Sequence, residues 1–434
     1  MEALTRVIQE GVTAFHAAAY VKDELLQCGF QELAYGEEWQ VEQGKQYVLI
    51  PYPSMLIAIS IGELKEETAL RLAAAHTDSP CLKIKSNPEL PSNYYIRMNV
   101  EPYGGLLKNT WFDRPLGIAG KVVLKGGDVF HPQIRYIKSE QAVCIIPSLA
   151  PHLAKGMDKK EMNVQQEFIP IAGLYGLGTE GNTADSKGDF LLAYLERMWE
   201  IKKDEILDYD LYLYNPEQPE AVGIEGELIS APRIDNLASV AALMEAMKII
   251  GNHKHNNVAV AAMFDNEEIG SRSKQGADSI LLQQVLQKLG MALGMKDLRW
   301  NDIVAKGFLL SLDGAQGYHP NYPDKSDPTN PVYLGRGPVI KTSASQRYLS
   351  DSQASAIIKA LCQYAGVSWQ QQVNRSGMPG GQTLGPILSS YLPMLGADVG
   401  IPMLAMHSAR ELAAREDYKG LVALAKAFYQ YDVE

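Results

Sequence analysis

Residues 258–271 read VAVAAMFDNEEIGS. The stretch begins as an apolar, β-prone run and stops abruptly at Asp265, Asn266, Glu267 and Glu268. Two adjacent carboxylates at the end of a buried strand are costly unless a cation meets them. A solvated polar loop is one reading. A metal site, where one glutamate binds a cation and its neighbour moves protons, is the other. The rest of the chain bears on the choice. Residues 69–75 (ALRLAAA) run into His76, Thr77 and Asp78, residues 307–312 (GFLLSL) into Asp313, and residues 401–406 (IPMLAM) into His407. Asp235, in SAPRIDN, precedes the helix-like NLASVAALMEAMKII. Open α/β sheets form their sites outside the carboxyl ends of the strands. The pattern therefore predicts a constellation gathered from distant parts of the sequence.

The chain has 434 residues, 46% of them hydrophobic, and a net charge of -11 at pH 7. That length suits two or three domains. The acidic balance argues against nucleic acid or an anionic membrane as the main partner, but leaves the substrate open. Cys28, Cys81, Cys144 and Cys362 form no C-x-x-C pair. A cysteine-based zinc site is therefore not expected, and a reducing, cytoplasmic compartment is. The N-terminal MEALTRVIQEGVTAFHAAAY carries early acids and lacks the apolar stretch of a signal peptide. No run approaches the roughly 20 apolar residues of a membrane helix.

Leu4, Val7, Ile8, Val12, Phe15, Ala18 and Ala19 recur at helical spacing, predicting one amphipathic helix over residues 3–28, stopped by Gly29. The strand-like runs QYVLIP, MLIAISIG and ALRLAAA follow. From about Lys83 to Val222 turn pairs alternate with β-rich pieces such as NYYIRMNVEPYGG and GIAGKVVLKGGDVF. The second half alternates helix and strand, with strands from Val258 and Phe308, at GPVIKTS and SWQQQV, and from Ile401. Helices are expected from Asn236, over 280–289 and 353–364, after Thr383 and from Asp417. The expected class is α/β, a mixed sheet flanked by helices with a β-rich insert. The expected segments are 1–83 and 226–434 for a divided catalytic domain, and 84–225 for the insert.

His76 and Asp78, two apart, share a face of an extended segment, so His76 reads as a ligand oriented by Asp78. Asp235 is placed either to cap its helix or to bridge two cations with its two oxygens. Glu267 and Glu268 point opposite ways on an extended backbone, and both reach one site only if the chain turns there. The resulting set is His76, Asp235, Glu268, Asp313 and His407 as ligands, with Glu267 left to take a proton from water and pass it to a leaving amine. Nitrogen and oxygen donors without sulfur suit zinc, and also cobalt or manganese. Two such ions polarise a carbonyl and activate water near neutral pH.

These segments resemble the aspartyl aminopeptidase family of dizinc exopeptidases, which includes vacuolar aminopeptidase I. The matching pieces are AAHTDSPCL, TWFDRPLGIAGKV, SAPRIDNLAS, MFDNEEIGSRSKQGA, SLDGAQGYHPNYPDK, GPVIKTSASQRY, GGQTLGPILSS and LAMHSARE, in order over most of the chain. The resemblance implies removal of N-terminal residues from peptides, often acidic ones, by a metallopeptidase domain interrupted by a β-rich dimerisation domain. It also implies assembly as a tetrahedral dodecamer. It supports the five ligands, Asp235 as the bridge and Glu267 as general base, and it matches Asp78 to the family's orienting aspartate. It further implies that His152 reaches a neighbouring subunit's active site, and that His319 and Lys341 lie near the substrate. Gly381, beside Gly380, could let backbone N–H groups approach the substrate. The sequence departs from the family in NRSGMPGGQTLG, where Gly377 stands near a place that commonly holds aspartate. Three other readings stay open: a dehydrogenase, from the formal G-x-G-x-x-G at 176–181, a non-catalytic scaffold, and a dizinc deacylase or carboxypeptidase.

Overall fold

A computed structural model of the chain describes residues 1–90, 92, 94–154, 162–175, 189–378 and 380–432. The chain forms two compact units. One comprises Met1–Ser79, Gln218–Met406 and Arg410–Glu434, the other Pro80–Glu217 and His407–Ala409.

The first unit is built on a nine-stranded mixed sheet. Its middle runs Leu56–Ile61, Val258–Phe264, Leu70–His76, Phe308–Leu312, Leu395–Gly400. Val258–Phe264, Leu70–His76, Phe308–Leu312 and Leu395–Gly400 are mutually parallel, whereas Leu56–Ile61 runs antiparallel to Val258–Phe264. Every residue of Val258–Phe264 and of Phe308–Leu312 is buried. Burial on both faces is why these strands read as near-continuous apolar runs, broken only by Ser311, rather than alternating ones. Alternate residues still serve different layers. Ala73, Ala75, Ala259 and Ala261 pack with helices Glu2–Glu10, Ile234–Ile250 and Arg415–Gln430. Leu72, Ala74, Val260 and Ala262 pack with helices Leu281–Ala292 and Leu384–Tyr391. The register pairs Phe264 with His76 and Ser311 with Ala74, so three parallel strands finish along one edge of the sheet. Chain continuing from these ends is brought together there.

A separate five-stranded sheet orders Glu220–Val222, Leu228–Ala231, Glu411–Ala414, Pro402–Leu404 and Ala315–Gln316. This corrects the expectation for residues 401–406. The fifth central strand is instead Leu395–Gly400 (LGADVG), and the apolar run after it turns away into the smaller sheet. The N-terminal helix is also two helices, Glu2–Glu10 and Ala14–Gln27. They break at Gly11, where a Cβ would stand 2.6 Å from the Val7 carbonyl oxygen. Gly29 follows the second helix with φ +94°, a left-handed conformation that glycine adopts without strain. The short helix Asp297–Ala305 carried no legible pattern, since only Trp300 and Ile303 are buried.

In the second unit seven strands pair in the order Ile206–Tyr214, Cys81–Leu90, Tyr95–Tyr103, Ile171–Leu174, Cys144–Ile145, Pro115–Leu124 and Gln133–Lys138. Ile206–Tyr214 pairs again with Pro115–Leu124, which closes a barrel. Its interior holds Leu82, Ile84, Met98, Val100, Leu116 and Leu211. Helix Phe190–Trp199 adds Leu191 and Leu195 to this core. The glycine motif at 176–181 lies outside the described residues. Among the described residues, no helix is long and apolar enough to cross a membrane.

Candidate metal centre

His76 ends its strand with 1% of its surface exposed. Its Nδ1 lies 3.0 Å from the Asp78 carbonyl oxygen and 3.4 Å from Asp78 Oδ1. Those acceptors fix a proton on Nδ1 and leave Nε2 to face the other way. Nε2 lies 3.5 Å from Asp235 Oδ1, 3.5 Å from Asp313 Oδ1 and 4.0 Å from Glu267 Oε2.

The Asp78 carboxylate has a second task. Its Oδ1 accepts from the Glu267 N–H and its Oδ2 from the Glu268 N–H, each at 3.2 Å. The chain turns here as the two-glutamate reading required. Asn266 adopts φ +63°, a single 3-10 turn carries Glu267–Ile269, and Gly270 follows at φ +94°. Ser271 N–H donates to the Asn266 carbonyl at 2.7 Å, and Ser273 Oγ donates to the Asn266 side chain at 2.7 Å. One carboxylate thus orients the imidazole and also holds the turn bearing both glutamates.

Asp235 sits at a break in its helix, where Asp235 and Asn236 leave helical geometry across a cis peptide bond. Its N–H donates to Glu411 Oε2 at 2.9 Å, and its carbonyl accepts from Ser79 Oγ at 2.8 Å. Asn236 Nδ2 donates to the Leu312 carbonyl at 2.8 Å, which ties this break to the end of the Phe308–Leu312 strand. Asp313 follows that strand, its N–H donating to the Val399 carbonyl at 3.0 Å. Its Oδ2 lies 3.6 Å from Lys341 Nζ. Lys341 is 3% exposed, which rules out a solvated surface charge, and its ammonium lies 5.5 Å from the Tyr348 ring centroid.

Burial sets the electrostatics. It pushes the Glu267 carboxyl up to about 8, the His76 imidazolium pulls it down, and Asp313, Asp78 and Asp235 push it further up. Burial and the Asp235 charge raise Glu268 well above the usual carboxylate range. Burial also opposes ionisation of Asp313, yet Lys341 and His76 outweigh it and hold that carboxyl well below its ordinary value. The His76 imidazole is disfavoured as a cation by burial, but Asp235, Asp313 and Asp78 raise it well above its ordinary value. Five carboxylates therefore surround one imidazole and one ammonium.

His76, Glu267 and Glu268 each present a donor atom within 4.8 Å of the others, and so do His76, Asp235 and Asp313. Hard oxygen donors with one imidazole nitrogen, gathered in excess negative charge, fit a divalent cation such as zinc. His407 belongs to the second unit, with φ +66° and Nδ1 3.1 Å from the Gly105 carbonyl. His152 lies in an exposed turn of that unit. His319 is half-buried, its ring centroid 4.9 Å from that of Tyr322. Gly381 lies in an exposed stretch before the helix Leu384–Tyr391. Glu411, which holds the Asp235 backbone, lies in the segment LAMHSARE, but no local pattern assigns it a task. Only the structure shows this acid buried in the strand Glu411–Ala414.

Residues 7–429 match the family described as Aminopeptidase I zinc metalloprotease (M18). A probable M18 family aminopeptidase 2 of Clostridium novyi is 41% identical over 425 residues, covering 97% of this chain and 96% of that one. The cryo-EM structure of Ape4 in complex with Nbr1 superposes with a TM-score of 0.92 at 32% identity, over 98% of this chain and 84% of that one. The crystal structure of prApe1 gives a TM-score of 0.90 at 26% identity, over 99% and 93%. With a family match spanning almost its whole length, over a buried histidine–carboxylate cluster at the strand ends, the chain belongs to the M18 family of aminopeptidase I zinc metalloproteases.

Proposed function

We propose that the chain removes the N-terminal residue of peptides at a site holding two divalent ions, zinc foremost, with Glu267 as general base. The observation that carries the reading is the Asp78 clamp, which joins the imidazole of His76 to the backbone of Glu267 and Glu268. His76, Asp235, Glu268, Asp313 and His407 would hold the ions. Bound there, they would polarise the scissile carbonyl and acidify water. Glu267, beside a ligand without being one, accepts the proton of the attacking water and returns it to the departing amine. Its raised affinity for protons suits a group that must both take and give one. Lys341 keeps Asp313 ionised, so that its oxygens stay available as donors. His319, Lys341 and Gly381 are assigned to the substrate side and His152 to a neighbouring subunit's site, on the family resemblance.

A preference for acidic N-terminal residues, the dimerising role of residues 84–225, a dodecameric assembly and a cytoplasmic location rest on the same resemblance and on the sparse, unpaired cysteines. The deciding assay compares hydrolysis of unblocked and N-acetylated aminoacyl anilides before and after chelation, and after zinc, cobalt or manganese is restored. Turnover confined to unblocked substrate and restored by metal is expected. Equal turnover of the acetylated substrate would point to a deacylase. No turnover with metal restored would point to a scaffold.

A further inference from the structure

In the first unit, Arg71 breaks a pattern. The strand Leu70–His76 alternates between layers, and Ala73 and Ala75 fill the face beneath helices Ser352–Tyr364 and Arg415–Gln430. Arg71 shares their face by strand parity, yet it carries a guanidinium. A cavity of about 660 Å³ opens over it, lined from both helices and from the starts of the Phe308–Leu312 and Leu395–Gly400 strands. Small-molecule sites commonly fall between about 300 and 1,000 Å³. The walls are Phe308, Leu361, Leu395 and Phe428. Tyr364 and Tyr431, rings edge to face at 5.3 Å, and the exposed Lys306 also line it.

Among the described residues the Arg71 guanidinium forms no hydrogen bond or ion pair. Burial disfavours its charge and Asp432 supports it from a distance. The Asp432 carboxylate is engaged elsewhere, its Oδ1 accepting from Asn256 N–H and Asn257 Nδ2. A half-buried guanidinium lining an apolar cavity is complementary to an anion with an apolar body.

We propose that this cavity binds an amphipathic monocarboxylate, its head paired with Arg71 and its chain or ring laid against Phe308, Leu361, Leu395 and Phe428. The site is distinct from the metal centre. Arg71 and His76 are five residues apart on one strand, about 16 Å at the usual rise, and they stand at opposite ends of it. A fatty acid and the C-terminal residue of a peptide share the required chemistry.

Calorimetry with decanoate at about pH 7.5, where a carboxylate is ionised, tests the site on the full chain. Saturable binding is expected. It should weaken at least about tenfold in Arg71→Gln and for decanol, which keeps the chain and lacks the charge. Ala360→Trp, at an exposed helical position lining the cavity, should block it without touching Arg71. This variant decides the matter if Arg71→Gln does not fold. Displacement of decanoate by acetyl-Leu-Phe assigns the site to peptide C-termini, and no displacement assigns it to fatty acids. Absence of saturable decanoate binding overturns the proposal. So does an affinity left unchanged by Arg71→Gln, or by Ala360→Trp where Arg71→Gln is unfolded.

Discussion

Replacing Asp78 by Asn tests the clamp with almost no change in shape. The wild-type carboxylate accepts two backbone N–H groups, from Glu267 and Glu268, and faces His76 Nδ1. Asn keeps one acceptor oxygen and turns its NH2 toward one of the two N–H donors, so one bond is lost and a donor meets a donor. A hydrogen bond to a charged group contributes about 1.5–3 kcal/mol. The expected penalty is thus about 2–4 kcal/mol, shared between folding and cation affinity. Removing the partner of a ligating histidine typically lowers metal affinity about 10–100-fold. Zinc affinity would be measured by competition with a chromogenic chelator, and turnover at saturating zinc. Asp351→Ala serves as the control. It removes a helix cap, where Asp351 Oδ1 accepts from Ala354 N–H at 2.7 Å, but touches no site residue. It should lower stability by about 1 kcal/mol and leave zinc affinity unchanged. If Asp78→Asn binds zinc as tightly as wild type, or the control loses as much affinity, the clamp does not act as described.

Three further outcomes follow from the same geometry. Glu267→Gln keeps the side-chain shape and should lower kcat by about 10²–10⁴-fold with metal content intact by elemental analysis; loss of the metal would contradict the role of proton carrier. In the metal-free protein Glu267 rises from 4.5 to about 8. Its contribution to stability is fully present below about pH 4.5 and is lost as pH climbs through 8, with Glu268 acting in the same sense. The melting temperature of the metal-free protein should therefore fall between about pH 5 and 8, while zinc affinity rises over that range as competing protons leave; a flat zinc affinity would count against the electrostatics. Gly400→Ala would set a Cβ 1.5 Å from the Asp313 carbonyl oxygen. It should abolish soluble folded protein, and a normally folded variant by circular dichroism would show that the strand end is not so tightly held.

What was legible in the sequence follows from burial. Strands covered on both faces are almost wholly apolar, so Val258–Phe264 and Phe308–Leu312 announce themselves and the charged residues after them stand out. Leu395–Gly400 did not, because Gly396, Asp398 and Gly400 interrupt the apolar run. The buried Asp398 is held by partners far away in sequence: its Oδ2 accepts from the Leu349 N–H, and its own N–H donates to Ser350 Oγ. The same distance hid Glu411, whose hydrogen bond to Asp235 spans 176 positions. The adjacency of Glu267 and Glu268 requires the chain to turn there, but the carboxylate that secures the turn lies 189 positions upstream of Glu267. Local pattern reveals which residues are available. It does not reveal which distant backbone groups they hold.

Because the register sets Phe264 beside His76 and Ser311 beside Ala74, the cluster depends on three strands widely separated along the chain. A nascent polypeptide on the ribosome possesses the histidine early but lacks Asp313 until late in synthesis. On the proposed reading, tight capture of a cation would wait for the central sheet to close, and an unfinished chain would make a poor scavenger of zinc.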